Sequence, residues 1–399
     1  NAVNFLVSHC GASVILCTAT QPLLDQVDAE KGAIRFSENP EMMQNVKTLF
    51  EALRRTKVED GRKPGGWNTQ EISQFTLEEA ERANSVLIVV NTKASAREIF
   101  KEFKEPKKCC IFHLSTNMCP AHRMEVLSTI KLRLKEKKPT ICVSTQLIEA
   151  GVDVDFGCVI RYLAGIDSIT QAAGRCNRNG LRPSGRVIVL NPSNENLDKL
   201  FEIRKAIEIT ERIFAEFEQN PNRFGNDLLN PGIMDLFYKY HFFARKDEMA
   251  YPVSAKQIGH DDHLLRLLSL NEIAKQAYQR ENKTLPPNCL CPSFKSANKE
   301  FQVIDAPNEG IIVPYNSEAI EIISTLCSLP EKKMQNFFLR KAQKFSVNIF
   351  PHAKRKLVEG GCIHPIFSES KIMYLNANSY DPDLGILLEA SSELPFLNA

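Results

Sequence analysis

Two arginines three residues apart, Arg175 and Arg178, sit in the run Gln171-Ala172-Ala173-Gly174-Arg175-Cys176-Asn177-Arg178-Asn179-Gly180. A guanidinium is permanently charged and presents its N–H donors as a planar fork. It therefore suits phosphate oxygens that gain charge during phosphoryl transfer. The spacing puts both side chains on one face of a helix expected over residues 168–176, and Gly174 leaves room for another backbone to approach. An arbitrary Arg-x-x-Arg pair is a surface helix with two solvated arginines. Here Gln171, both glycines and a preceding strand all fall where a phosphate-sensing loop needs them.

A second stretch, Ser144-Thr145-Gln146-Leu147-Ile148-Glu149-Ala150-Gly151-Val152-Asp153, precedes the arginines by some 25 residues. A hydroxyl pair ending a strand can bind a nucleic-acid phosphate. Gly151 permits a tight turn, and Asp153 can reach a nucleotide ribose or one of the arginines. Alone, the stretch reads equally as a strand-to-helix cap. Thr18-Ala19-Thr20 offers two more hydroxyls, which either link two lobes or cap the next helix. Basic residues are also concentrated: Lys93, Arg97, Lys101, Lys104, Lys107 and Lys108, then Arg123, Lys131, Arg133, Lys135, Lys137 and Lys138. They read either as solvated helix faces or as a track for the backbone of a single strand.

These residues need a scaffold, and the hydrophobic pattern supplies one. Buried strands are expected at Ala12–Cys17, Ser85–Val90, Cys109–Leu114, Thr140–Ser144, Cys158–Tyr162 and Arg186–Leu190. Helices are expected near 41–55, over 76–84, 94–103 (capped by Asn91-Thr92-Lys93), 121–135 and 168–176. Short apolar strands alternating with helices indicate an α/β fold, a RecA-like parallel doubly wound sheet with ligands at the strand C-termini. A long helix over 195–218 opens an aromatic-rich stretch with Phe237, Tyr238, Tyr240, Phe242 and Phe243, and a helix follows near 263–279. Leu285-Pro286-Pro287 then marks a boundary. Strands at 301–304, 310–314, 345–350 and 371–375, with helices at 317–327 and 331–344, make a small α+β C-terminal domain. The expected segments are 1–60 (end of a first lobe), 61–192 (second lobe), 193–285 (helical linker) and 286–399 (C-terminal domain).

The chain has 399 residues, 43% hydrophobic and 25% charged, with 50 basic against 48 acidic residues and a net charge of +2. That balance excludes a uniformly basic nucleic-acid coat, so any such contact must be local. No apolar run is long enough to span a membrane and no signal peptide opens the chain. Its 12 cysteines form no CxxC pair, as expected of reduced thiols in the cytoplasm, and no metal site is visible. Asn1 is not an initiator Met, so the chain is expected to begin inside a longer polypeptide.

Together these stretches resemble the superfamily-two helicases. Thr18-Ala19-Thr20 is similar to that group's third motif, Asn91-Thr92-Lys93 to the fourth, Ser144 to Asp153 to the fifth, and Gln171 to Arg178 to the sixth, with Arg175 and Arg178 at its finger positions. Ala172 stands where general members carry an arginine, which removes one phosphate contact. The wording Gln-Ala-Ala-Gly-Arg-Cys-Asn-Arg-Asn-Gly resembles the CRISPR-associated helicase–nuclease of type I systems. The segments Gly310 to Asn316 and Leu339 to Ile349 are similar to the C-terminal domain of that family, in its I-C branch.

The resemblance implies part of an ATP-dependent single-strand DNA translocase and nuclease of CRISPR interference, recruited by the Cascade surveillance complex, with ATP and Mg2+ as cofactors of the parent protein and a phage-encoded inhibitor as a further partner. ATP would lie between a first lobe and this one. Arg175 and Arg178 would reach its γ-phosphate, Gln171, Gly174, Gly151 and Asp153 would line the nucleotide, Thr145, Asn91, Ser115 and Arg123 would hold DNA phosphates, and Thr18 and Thr20 would couple the lobes. The sequence holds no Gly-x-x-x-x-Gly-Lys-[Ser/Thr] phosphate loop, no Asp-Glu-x-His box and no HD motif in a nuclease setting, His260-Asp261 lying in the linker. The isolated chain is therefore expected to be catalytically silent and to bind no cofactor tightly. Two other readings stay open: the second lobe of another DNA or RNA helicase, and a non-enzymatic fragment that docks a partner through its C-terminal domain.

Overall fold

The computed structural model describes residues 2–18, 20–27, 33–103, 109–245, 251–287, 292–301, 309–328, 332–367 and 371–387. The chain divides into two compact units, one of Asn1–Glu51 with Met234–Asp305 and one of Ala52–Ile233 with Ala306–Ala399.

The larger unit is built on six parallel strands: β1 (Thr56–Asp60), β2 (Ser85–Val90), β3 (Cys110–Leu114), β4 (Thr140–Thr145), β5 (Cys158–Tyr162) and β6 (Gly185–Leu190). Their order across the sheet is β1-β6-β5-β2-β4-β3. Residues of β2, β4 and β5 are buried on both faces, as near-continuous apolar strands of a helix-covered parallel sheet must be. The sequence pattern anticipates these strands closely.

It misses β1, because Thr-Lys-Val-Glu-Asp buries only Val58. What holds this charged edge strand is Arg186 on β6, which donates to Glu59 at 2.8 Å and to the buried Glu79 at 2.7 Å. The Arg186 bond holds the Glu59 carboxyl below its usual range, and Glu59 in turn raises the Arg186 guanidinium.

Helix boundaries follow local capping. The first helix runs Thr69–Ala83, earlier than expected, because Asn68 and Glu71 form a reciprocal capping box. Thr92 accepts from Ser95 N and starts Lys93–Glu102. Pro120 opens Pro120–Lys135. The helix after β5 is Ile166–Ala173, shorter than the expected 168–176. The long helix beyond β6 is Phe201–Gln219 rather than 195–218.

The C-terminal part of this unit has a four-stranded mixed sheet. Glu309–Ile312 pairs antiparallel with Ser346–Ile349 and parallel with Met373–Leu375, which pairs antiparallel with Ile363–Pro365. Helices Ser317–Ser328, Lys332–Ala342 and Pro351–Glu359 accompany it. The expected strand at 301–304 lies, beyond its first residue, outside the described residues. Cys119, from the loop between β3 and Pro120–Lys135, is fully buried in the core of this C-terminal part with Ile311, Val347 and Leu357. The two parts therefore share apolar packing.

In the other unit the expected strand Ala12–Cys17 is absent. Those residues have no regular structure, and Ile15 is 68% exposed. A β-branched run becomes a strand only by pairing, and no described strand pairs with this one. The helix expected near 263–279 is two, Leu264–Leu268 and Glu272–Asn282, separated at Asn271, whose φ is +44°. A small core joins Val253, Leu264, Leu267 and Ala297.

His113 of β3 donates from Nδ1 to the Asp383 carbonyl at 3.2 Å, and burial pushes its pKa down to about 4. The fold thus favours the neutral ring. This stability is fully present above the unfolded pKa near 6.5 and is lost as pH falls through about 4, on the order of 3 kcal/mol in all. Thermal melts from pH 7 to pH 4 should show a steeper loss in wild type than in His113→Gln. Parallel curves would remove this assignment.

Candidate functional site

The C-terminal ends of four neighbouring strands carry Asn91 after β2, Ser115 after the edge strand β3, Thr145 closing β4 and Leu163 after β5. Beneath them lies a polar cluster that the sequence reading did not include. Arg161, on β5, has no exposed surface. Its Nε faces Glu149 Oε1 at 3.0 Å as an ion pair without hydrogen-bond alignment. Nη1 donates to Asn91 Oδ1 at 2.7 Å and to the Tyr162 carbonyl at 3.0 Å, and Nη2 donates to Ser168 Oγ at 3.1 Å. Ser168 donates onward to Glu149 Oε2 at 2.7 Å. Burial pushes the Glu149 carboxyl up and the Arg161 guanidinium down, and each partner opposes the other's shift. One visible signal was available: an arginine inside the otherwise apolar strand Cys-Val-Ile-Arg-Tyr.

Asn91 belongs to this cluster, which corrects its expected role. Its Nδ2 donates to the Leu163 carbonyl at 2.9 Å and to Glu195 Oε2 at 2.7 Å, and its backbone N–H donates to Glu195 Oε1 at 3.0 Å. A side chain so committed has no group left for a DNA phosphate. Thr145 is 9% exposed at the strand end. Ser115 is fully buried, and its Oγ accepts from Asn117 N at 3.3 Å. Arg123 is half-buried in the first turn of Pro120–Lys135, where burial lowers its pKa against the opposing influence of Cys119 and Tyr380. Lys93 is also drawn down by burial. Lys104, Lys107 and Lys108 lie outside the described residues.

The arginine run departs from expectation in two ways. The helix stops at Ala173, and Asn177 at φ +47° turns the chain, so Arg175 and Arg178 lie in a turn and do not share a helix face. This turn is anchored at the N-terminal edge of β5, not at the strand C-termini: Phe156 N donates to the Arg175 carbonyl at 2.9 Å, and Asn177 N donates to the Phe156 carbonyl at 2.9 Å.

The two side chains then diverge. Arg175 is 9% exposed and folds inward, with Nε on the Ile148 carbonyl at 2.9 Å and Nη2 on the Glu149 carbonyl at 2.6 Å. Burial lowers its pKa, and the nearby Arg178 charge adds to the shift. The Arg178 side chain is 43% exposed and pairs through Nε with Asp153 Oδ1 at 3.0 Å. Its backbone N–H and that of Asn179 are held by Asp155 at 2.8 and 3.1 Å.

Gly151 is favoured by its φ of +71° alone, since nothing lies within 4 Å of an added Cβ. Gly174 does not: it is αR, exposed, and meets only the carbonyls of Gln171 and Thr170 in the preceding turn. Gln171 is half-buried in the last turn of its helix. Thr18 and Thr20 lie in the other compact unit, where Thr20 N donates to Thr18 Oγ1 at 3.3 Å. Among the described residues no group of three or more His, Cys, Asp or Glu could hold a metal, and no helix is long and apolar enough to cross a membrane.

A six-stranded parallel sheet with helices packed on it defines the class as an α/β, RecA-like lobe carrying a further α+β part. Residues 82–181 match the family described as CRISPR-associated nuclease/helicase Cas3, C-terminal. The chain is 28% identical over 146 residues to the Cas3 nuclease/helicase of Methanothermobacter thermautotrophicus, covering 36% of this chain and 17% of that relative. It is 49% identical over 63 residues to that of Haloferax volcanii, covering 14% and 7%. The crystal structure of T. fusca Cas3-ADP has the same fold, with a TM-score of 0.52 at 15% identity over 84% of this chain and 43% of that one. The resemblance seen in the sequence holds: the chain is similar to a C-terminal part of Cas3, and its matches span less than a fifth of those curated relatives.

Replacing Arg161 by Leu leaves the Glu149 carboxylate buried without its cation and should cost about 3–5 kcal/mol in urea unfolding. Adding Glu149→Leu should recover most of the loss. Equal destabilisation in single and double variants would refute the pairing.

Proposed function

We propose that this chain works as the second motor lobe and C-terminal domain of an ATP-driven, cytoplasmic single-strand DNA translocase and nuclease of CRISPR interference, recruited by a Cascade surveillance complex. The observation that carries this reading is Arg178: a solvent-facing guanidinium that, among the described residues, is held through Nε by an exposed carboxylate, on a turn whose backbone is fixed by Asp155 and Phe156. Such an ion pair is worth at most about 1 kcal/mol, so a nucleotide phosphate can take Asp153's place at little cost.

The residues fit a nucleotide. Gly151 faces open space, and Gly174 is exposed beside Gln171. When bound, the nucleotide supplies a γ-phosphoryl group whose transfer gathers charge on its oxygens. Arg178 would stabilise that charge, while Asp153 would report closure by releasing or recapturing Arg178. Arg175 would act chiefly as a clasp, since two of its donors already hold the Ile148–Glu149 turn. Among the described residues no group of three or more His, Cys, Asp or Glu could hold magnesium, and no step is assigned to it.

Strand tracking would fall to Thr145 and Arg123 at the opposite edge of the sheet, with Ser115, which has no exposed surface, and Asn91 supporting them from below. The phosphate-binding contacts of a first lobe supply most of the nucleotide affinity, so this chain alone would not turn over ATP. Thr18 and Thr20 would couple it to that lobe.

In a polypeptide that joins this chain to a phosphate-loop lobe, Arg178→Ala should reduce ATP turnover on the order of a thousandfold with single-strand affinity unchanged. Arg175→Ala should reduce turnover and also lower stability by about 1–3 kcal/mol, because two carbonyls lose their donors. Normal DNA-stimulated hydrolysis in Arg178→Ala would contradict the assignment.

A further inference from the structure

The loop from Ser115 to Arg123 is held by a small hairpin near the end of the described chain. Tyr380–Asp381 pairs antiparallel with Gly385–Ile386, and Asp381 Oδ1 closes the turn by accepting from Asp383 N and Leu384 N, each at 2.8 Å. This hairpin grips the loop at successive points. Ile386 N donates to the Asn117 carbonyl at 3.0 Å. Gly385, at φ +78°, lies so close that an added Cβ would stand 2.3 Å from the Asn117 oxygen. The Tyr380 hydroxyl accepts from Cys119 N at 3.1 Å and meets His122 Nδ1 at 3.0 Å. His122 is itself stacked on Tyr315, with ring centroids 4.5 Å apart. Asp383 supplies the carbonyl on His113, two residues before Ser115.

The loop has little of its own to hold it. Within it, Ser115 Oγ and the Ser115 carbonyl accept from Asn117 N and Met118 N at 3.3 and 3.2 Å, both long. Cys119 is the N-cap residue and makes no side-chain cap bond, and its own backbone N–H goes to the phenol of Tyr380, which stands where an N3 side chain would accept in a capping box. The segment that places Ser115 and Arg123 is thus shaped by a hairpin more than 250 residues away in sequence.

We propose that the Tyr380–Ile386 hairpin is the positioning element of the strand-tracking loop, holding Arg123 where it meets a single-strand phosphate, with the fully buried Ser115 shaping the loop from within, so that the C-terminal domain sets single-strand affinity through the loop. Tyr380 is a positioning residue, acting through Arg123. The proposal rests on the reading of this lobe as a single-strand tracker.

The test is anisotropy of a fluorescein-labelled oligothymidylate titrated with the whole chain across a salt series, alongside thermal melts. In Tyr380→Phe, which keeps the ring, the slope of log affinity against log salt should fall by about 0.7, the value of one phosphate contact to a single strand, with the melting temperature near wild type. Arg123→Ala should lose the same slope, and Tyr380→Phe should change nothing further in the Arg123→Ala background. A folded Tyr380→Phe with wild-type slope, or effects of the two substitutions that add, would overturn the proposal. Wild-type chain without salt-dependent binding would instead remove the tracking reading, and this proposal with it.

Discussion

A guanidinium without exposed surface in the middle of a parallel sheet must have its charge paired, because an unpaired buried charge costs several kcal/mol. Arg161 imposes that constraint here. Glu149, Asn91 and Ser168, from three different segments, converge on it together with the neighbouring Tyr162 carbonyl. The loop after β2, the loop after β4 and the helix after β5 are thereby set relative to one another by a single side chain. An apolar pair would give similar stability, but it would not fix three polar loops in one register.

This arrangement has a mechanical reading. Arg175 holds the Glu149 carbonyl, Glu149 pairs with Arg161, Arg161 donates to Asn91, and Asn91 is bound by Glu195. The chain of contacts runs from the arginine turn, at the N-terminal edge of β5, to the C-terminal edge of β2. In the proposed motor, the nucleotide-facing side and the strand-tracking side are different flanks of one sheet, and this buried path joins them. The C-terminal part adds a second constraint on the tracking side, through the hairpin and the shared burial of Cys119.

What the sequence revealed follows from which forces act locally. Strands β2, β4 and β5 are legible because burial on both faces makes them continuously apolar. β1 is not, since its place depends on Arg186 reaching Glu59 across 127 positions. Ala12–Cys17 looks like a strand in composition, yet it finds no partner among the described residues. Motif spacing located Arg175, Arg178 and Asp153 as neighbours, and Arg178 and Asp153 do pair. It could not show that Asn177 would turn the chain, leaving the Arg175 side chain folded inward and the Arg178 side chain facing solvent. Nor could it reveal that Asn91 is consumed by Glu195, an acid 104 residues later.

The coupling path is tested most directly by exchanging its ion pair for an apolar one, Arg161→Met with Glu149→Leu, within a polypeptide that also carries a phosphate-loop lobe. The readout is the ratio of ATP hydrolysis with and without single-strand DNA, measured beside a thermal melt. A stable variant whose hydrolysis no longer responds to DNA is the predicted result. A stable variant that DNA still accelerates as strongly as wild type would contradict the account.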